Sequence, residues 1–252
     1  MQPLVSVIIP AYNCADYIKK SIDSVLQQDV PLEIIVINDC SKDRLDEVML
    51  QYQNQANVIY LHNAKNLGAS GTRNFGVSQA KGKYVAFLDA DDYWAAEKLK
   101  KQLTVMKRER VVLCATAREL MTPEGVCTGR IIPVKEQITY RDLLKQNCIN
   151  CSSVLMRTEV AKEFPMHHED SHEDYIMWLE ILQKYKRACA VNEPLLKYRL
   201  SNSGKSGNKW HSAKMTYKVY RYVGFGRIKA MCCFGSYAVH GVMKYLLSYI
   251  HF

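Results

Sequence analysis

Short apolar runs that stop on acidic or amide side chains constrain this chain more than any other feature. Val85-Ala86-Phe87-Leu88 runs straight into Asp89-Ala90-Asp91-Asp92, and Ile34-Ile35-Val36-Ile37-Asn38 ends on Asp39. Val5-Ser6-Val7-Ile8-Ile9 closes on Pro10 and opens into Ala11-Tyr12-Asn13. Runs this short and this apolar read as strands buried on both faces, the kind a parallel sheet contains. Residues 58–61 form a further short strand. Between the runs the spacing predicts helices: from about Asp16, with Ile18, Ile22, Val25 and Leu26 on one face, from about Asp43 to Gln53, and from Asn66 to near Gly82. Alternating strand and helix marks right-handed βαβ units. In such sheets ligands bind at the carboxyl ends of the strands, where Asn13, Asp39, Asp89 and Asp91 all arrive.

Asp89, Asp91 and Asp92 suit a hard divalent cation that also takes phosphate oxygens. The plainer reading is an Asp92 cap on a helix through residues 94–99, but a cap needs one Asp and three are present. Neither Gly-x-Gly-x-x-Gly nor Gly-x-x-x-x-Gly-Lys-Ser/Thr follows the first strand. Phosphate charge therefore falls to a metal and to side chains.

Beyond residue 100 the pattern loosens. Residues 111–115 and 152–157 are strand candidates, and a short helix starts at Thr139. Pro123, Gly125 and Gly129 mark residues 121–133 as a hairpin or loop. Residues 167–174 pack three histidines and four carboxylates into eight positions. Alone, that run fits a transition-metal site or a solvated acidic turn, the commoner outcome for such runs.

Four pieces in order carry a resemblance: residues 5–13, then Ile37-Asn38-Asp39-Cys40-Ser41-Lys42-Asp43, then Asn66-Leu67-Gly68 with Arg73-Asn74, then Phe87-Leu88-Asp89-Ala90-Asp91-Asp92. Together they resemble the family 2 glycosyltransferases of GT-A fold. That fold is α/β: a Rossmann-like, mostly parallel sheet flanked by helices. The resemblance implies a nucleotide-sugar donor, with Asp39 on the base, usually uracil. Pro10, Ala11, Tyr12 and Asn13 match the loop beside the base, and Arg73 a donor contact. Asp89, Ala90 and Asp91 match the Asp-x-Asp motif, in which Asp91 ligates Mg2+ or Mn2+ bridging the diphosphate. Glu173-Asp174 resembles the acidic pair heading an amphipathic helix, which implies that Asp174 is the base, with Glu173 and Trp178 on the acceptor side. Glu169 and Asp170 are alternatives for the base. The strand at residues 194–200 resembles the family's Tyr-Arg strand. The His expected two residues after Arg199 is Ser201, so Arg199 or Lys205 is expected to meet the diphosphate as a point charge.

The 252 residues are 48% apolar, ordinary for a globular protein. Nine cysteines at irregular spacing do not form a disulfide framework, and Cys148 and Cys151 lack a second pair at zinc spacing. The start of the chain lacks a basic region and a long enough apolar core for a signal peptide. A cytoplasmic, reducing environment follows. The net charge of +9 sits in the tail, since residues 209–252 hold seven Lys or Arg and no acid. Its longest uncharged run, residues 230–243, is too short to span a bilayer. The tail is expected to lie on an anionic membrane, at the inner face of the cell membrane, as a basic amphipathic segment. The alternative is a packed helical pair.

The expected organisation is a catalytic domain over residues 1–208, with its donor half at 1–100 and acceptor half at 101–208, followed by the tail at 209–252. The expected reaction is inverting transfer of a hexose, such as that of a UDP-sugar, to a hydroxyl of a glycan or lipid-linked sugar in surface polysaccharide synthesis. Three rivals stand beside it. A nucleotidyltransferase lacks its Gly-rich signature here, a non-enzymatic scaffold does not need the acidic residues, and a nucleic-acid binder predicts steep salt dependence.

Overall fold

A computed structural model of the chain describes residues 2–200 and 209–249. The first half runs β1 (Val5–Ala11), α1 (Ile18–Leu26), β2 (Leu32–Asn38), α2 (Leu45–Met49), β3 (Val58–His62), α3 (Gly68–Gln79), β4 (Tyr84–Phe87), β5 (Tyr93–Trp94) and α4 (Lys98–Glu109). The second runs β6 (Leu113–Met121), β7 (Cys127–Ile132), β8 (Gln137–Thr139), α5 (Tyr140–Lys145), β9 (Leu155–Arg157), α6 (Thr158–Glu163), α7 (Glu173–Tyr185), β10 (Arg187–Arg199), α8 (Lys209–Tyr222) and α9 (Arg227–Tyr249).

β3, β2, β1 and β4 lie side by side and parallel, so Ile8 sits between Ile35 and Phe87. β9 then runs antiparallel to both β4 and β6, and β10 returns parallel to β6. β5 closes the far edge, β7 makes a hairpin with β6, and β8 pairs with β10. The parallel half supplies the carboxyl-end edge that the apolar runs predicted.

Alternation along the central strands sorts the helices into two layers. Val7, Ile9, Ile34, Val36 and Ala86 face α1, α2 and α4 through Ile18, Ile22, Leu45 and Leu99. Ile8, Ile35, Ile37, Val85 and Phe87 face the other way, toward α3, α5, α6 and α7. Each fully buried Ile or Leu removes apolar area worth about 1.5–3 kcal/mol. A central truncation such as Ile8→Ala costs about 2–5 kcal/mol because it also leaves a cavity between strands and α3.

Several boundaries differ from the sequence pattern. The helix expected at 94–99 begins only at Lys98, because Trp94 pairs with Leu196 of β10 and its indole donates to the Ser152 carbonyl at 2.8 Å. α2 stops at Met49 and continues as a 3-10 turn, Leu50–Tyr52. β10 is longer than the run 194–200. Its ladder shifts register between Val191 and Leu196, around Pro194, which has no N–H to donate. α6 has no clear signal in the sequence.

The C-terminal helices are not a loose appendage. Met215, Val219 and Tyr220 of α8 are buried, and Val219 joins the core cluster that contains α7. α9 turns Ala230 inward and exposes Ile228, Met231 and Val239. Among the described residues, no helix is long and apolar enough to cross a membrane.

Candidate active site

A cleft of about 890 Å³ opens at the carboxyl ends of β1, β2 and β4, within the range of small-ligand sites. Pro10, Ala11, Tyr12, Asn13, Asp39, Arg73, Asp89, Ala90, Asp91 and Arg199 all line it. Side chains up to 189 positions apart in the chain thus meet in one concavity. Lys205 and Ser201 lie outside the described residues.

Asp39 is fixed at one end. Its backbone N–H donates to the Ala11 carbonyl at 2.8 Å, and its Oδ1 accepts from Leu67 N and Asn63 Nδ2, both at 2.7 Å. Asn13 adopts a left-handed backbone, φ 48°. Its Oδ1 accepts from Lys42 N at 2.8 Å while its own N–H donates to Ser41 Oγ. These bonds tie the loop after β1 to the loop after β2. Gly68, at the start of α3, has φ +69°, and a Cβ there would lie 2.1 Å from both carboxylate oxygens of Glu169. The positive φ favours glycine at this lip of the cleft, whereas the Glu169 carboxylate is the far end of an exposed side chain that can move aside.

Arg73 is the hub. Its buried guanidinium donates to Asp89 Oδ1 at 2.6 Å and to Glu173 Oε1 at 3.3 Å. Asp89 N in turn donates to Ser152 Oγ at 3.1 Å. With Asp89 committed to Arg73, Asp91 beside it makes no ion pair among the described residues. Loss of water around it, and then the negative charge of Asp89, push its pKa up. Asp92 is fully buried and takes the Arg199 backbone N–H at 2.9 Å on Oδ1. Burial, and the charges of Asp89 and Asp91, push its carboxyl well up. Arg199 closes the wall, donating from Nε to the Asp91 carbonyl and from Nη1 to the Pro123 carbonyl, with its guanidinium 4.6 Å from the Tyr17 ring centroid.

A divalent ion fits this donor set. The described residues contain no group of three or more His, Cys, Asp or Glu that could hold a metal. Asp91 instead presents a carboxylate whose charge is disfavoured where it stands, and which a cation relieves. Mg2+ or Mn2+ held by one or two carboxylates with phosphate oxygens matches that chemistry.

Asp174 heads α7 next to Glu173, and Glu173 is the residue that reaches Arg73. Burial pushes the Asp174 carboxyl up to about 7, and the Glu173 charge adds to this; Arg73 opposes the rise. Asp89 also raises it, so Asp174 feels the charge at the cleft floor. Tyr175 N donates to Asp174 Oδ1 at 2.7 Å. Trp178, one turn further on, is fully buried in the core and does not line the cleft. Asp170 is engaged at the surface by Lys218 and Tyr222.

Sequence reasoning did not place Ser152, Tyr17, Pro123 or Cys151 at the site. Cys151 is buried among Arg73, Asp89, Glu173 and Asp174, and burial raises its thiol well above the usual range. Their places depend on distant contacts: Cys151 and Ser152 lie just before β9, which pairs with β4, while Tyr17 and Pro123 both meet the Arg199 guanidinium. All nine cysteines are free thiols.

Residues 6–163 match the family described as Glycosyl transferase family 2. The chain belongs to that family. The putative teichuronic acid biosynthesis glycosyltransferase TuaG of Bacillus subtilis (strain 168) is 39% identical over 250 residues, covering 97% of this chain and 98% of TuaG. The UDP-Glc:alpha-D-GlcNAc-diphosphoundecaprenol beta-1,3-glucosyltransferase WfaP of Escherichia coli is 33% identical, covering 98% and 97%. Among solved structures, S. aureus TarS 1-349 in complex with UDP-GlcNAc superposes with a TM-score of 0.73 at 20% identity, over 94% of this glycosyltransferase and 72% of that chain. A mannosyltransferase from Pyrobaculum calidifontis in complex with GDP-Man and Mn2+ gives 0.67 at 16% identity, over 95% and 74%. At those identities the likeness is one of fold, and the fold of this glycosyltransferase is GT-A.

Proposed function

We propose that this glycosyltransferase transfers a hexose, with inversion, from a UDP-sugar to a hydroxyl of a lipid-linked sugar during cell-surface polysaccharide synthesis. The observation that carries this reading is the chain Asp89–Arg73–Glu173, which links the floor of the cleft to the residue beside Asp174. Asp39 and the 10–13 loop bind the uridine. Arg73 and Arg199 meet the diphosphate, and Lys205 is assigned there too. When bound at Asp91, Mn2+ or Mg2+ supplies Lewis-acid neutralisation of the departing diphosphate.

Asp174 takes the proton from the acceptor hydroxyl as that oxygen attacks the anomeric carbon. Its carboxyl, raised to about 7, is basic enough to accept a proton and still ionised in part at neutral pH. Glu173 keeps Arg73 charged and in place between the two carboxylates. Residues 1–100 serve the donor and residues 101–208 the acceptor.

A relative's name supports the acceptor, since WfaP is named for a diphosphoundecaprenol substrate. An acceptor of that kind lies in the membrane, and the tail suits it. The outward face of α9 exposes Ile228, Met231 and Val239 in a segment with seven basic residues and no acid. Apolar side chains ringed by cations bind anionic bilayers, which gives a peripheral location on the inner face of the cell membrane.

The test is a panel of nucleotide sugars with Mn2+ and a synthetic GlcNAc-diphospholipid acceptor. Transfer from one UDP-sugar, lost in Asp174→Asn and on chelation, is expected. Transfer that persists in Asp174→Asn sinks the assignment of the base. Transfer indifferent to chelation sinks that of the metal.

A further inference from the structure

Two buried phenols meet behind the residue assigned as base. Tyr175, next to Asp174 on α7, and Tyr220 on α8 have hydroxyls 3.2 Å apart. Tyr175 donates to the Leu143 carbonyl, and Tyr220 donates to the Leu144 carbonyl at 2.9 Å. These carbonyls end α5, a six-residue helix whose last oxygens have no intrahelical donors. The pair therefore ties α5, α7 and α8 into one knot, and both phenols are fully buried.

The approach to α7 is fastened to the same helix. The buried Ser171 hydroxyl donates to the Met215 carbonyl at 3.0 Å. The His168 ring stacks on Tyr222 with centroids 3.7 Å apart and planes 5° from parallel. Asp170 pairs with Lys218 and accepts from the Tyr222 hydroxyl. α8 thus grips the chain on both sides of Asp174, while Arg73 holds Glu173 from the cleft.

We infer that Tyr220 is a positioning residue for Asp174, and that α8 is a working part of the active site rather than a detachable anchor. This rests on the reading of Asp174 as the base. Tyr175 shares its one proton between the Leu143 carbonyl and the Tyr220 oxygen. In Tyr220→Phe, Tyr175 therefore loses that second acceptor and α8 loses its tie to the Leu144 carbonyl, beside the backbone N–H that holds Asp174 Oδ1 at 2.7 Å. A small misplacement of a catalytic group is enough to cost up to about 100-fold in rate. Asp174 is faced by Glu173 on its own helix, by Arg73 of α3 and by Asp89 at the end of β4. Loosening α7 lets water reach it, which moves its titration toward the ordinary carboxyl value.

The experiment compares full-length wild type, Tyr220→Phe and Asp174→Asn with UDP-glucose, Mn2+ and a GlcNAc-diphospholipid. Tyr220→Phe is expected to lower kcat about tenfold at unchanged donor KM, with the acidic limb of its pH profile moved down. A Lys218→Met/Tyr222→Leu double variant, altered only at the surface, is expected to shift both in the same direction. An NMR titration of the Asp174 carboxyl carbon reads the same displacement without turnover of any donor. A lower melting temperature with kcat, pH limb and titration all unchanged makes Tyr220 merely structural and overturns the inference. Turnover retained by Asp174→Asn overturns instead the reading of the base.

Discussion

Glu173 and Arg73 form an ion pair at 3.3 Å across one hundred positions of sequence. Both side chains are almost wholly removed from solvent, and Arg73 meets Asp89 with its other nitrogen at 2.6 Å. One cation thereby joins the first turn of α7 to the carboxylates that follow β4. The pairing reaches from the cleft to Glu173 and Asp174, which do not themselves line it, and Arg73 contributes to the field in which Asp174 titrates.

Replacing Arg73 by Met leaves the buried Glu173 and the part-buried Asp89 without their cation. Breaking a buried pair by removing one partner costs about 3–5 kcal/mol, so the urea midpoint at pH 8 is expected to fall steeply. Because Arg73 holds the Asp174 carboxyl down, its removal should also move the acidic limb of any residual activity to higher pH. A midpoint equal to wild type contradicts the hub.

Asp174 carries its own stability signature. Its folded pKa of about 7 lies above the ordinary 3.8, so in that window the folded chain binds more protons than the unfolded one. Its contribution is fully present below the lower value and is lost as pH rises through the upper one. Asp174→Asn should therefore melt above wild type at pH 8 and close to it at pH 4, while transfer is abolished. In wild type kcat should rise with pH through about 7 and level off. Melting curves of both proteins across that range decide the first point and a pH–rate profile the second.

Asp91 is open to a test that needs no turnover. Mn2+ added with UDP should raise the melting temperature of wild type by several degrees, since a ligand at one hundred times its Kd adds about 2.7 kcal/mol. EDTA should reverse the shift, and Asp91→Asn should abolish it. An equal shift in the variant excludes Asp91 as the ligand.

Lys98 is fully buried, with its ammonium 2.9 Å from Gln102 Oε1 and 3.8 Å from the Trp94 ring centroid. Burial lowers its pKa from 10.5 to about 7, so above that value the unfolded chain holds the extra proton. Stability should rise between those limits in wild type and lose that component in Lys98→Met. Chemical denaturation at pH 7 and pH 9 measures the difference.

Charge on the outward face of α9 should separate membrane binding from folding. Ile228 and Met231 are 83% and 57% exposed, so Ile228→Asp with Met231→Asp removes no core contact. Binding to phosphatidylglycerol vesicles should drop at least tenfold, since each buried CH2 is worth about 0.8 kcal/mol, with the melting temperature unchanged. Equal sedimentation with vesicles assigns the tail a purely structural task.

The first half of the chain was readable because its signals are local. An apolar strand such as residues 85–88 announces its own burial, and the polar residue ending it announces the edge on which it emerges. Three such strands in βαβ order leave one edge for Asn13, Asp39 and Asp89 to share. The second half was less legible. Residues 167–174 read as a metal site or, more commonly for such runs, an acidic turn until α7 and Arg73 came together. The break of β10 at Pro194 and the late start of α4 were also set by neighbouring strands.

The amino-acid sequence by itself determined the parallel half of the sheet, the cleft edge and most of the residues along it, because strand burial and helix periodicity are written within a few neighbouring positions. Tertiary structure alone decided that Arg73 spans Asp89 and Glu173, that Trp178 belongs to the core, and that α8 grips the segment bearing Asp174. Those are contacts between distant stretches of chain. Their energy depends on a distance and a degree of burial that exist only once the chain has closed on itself.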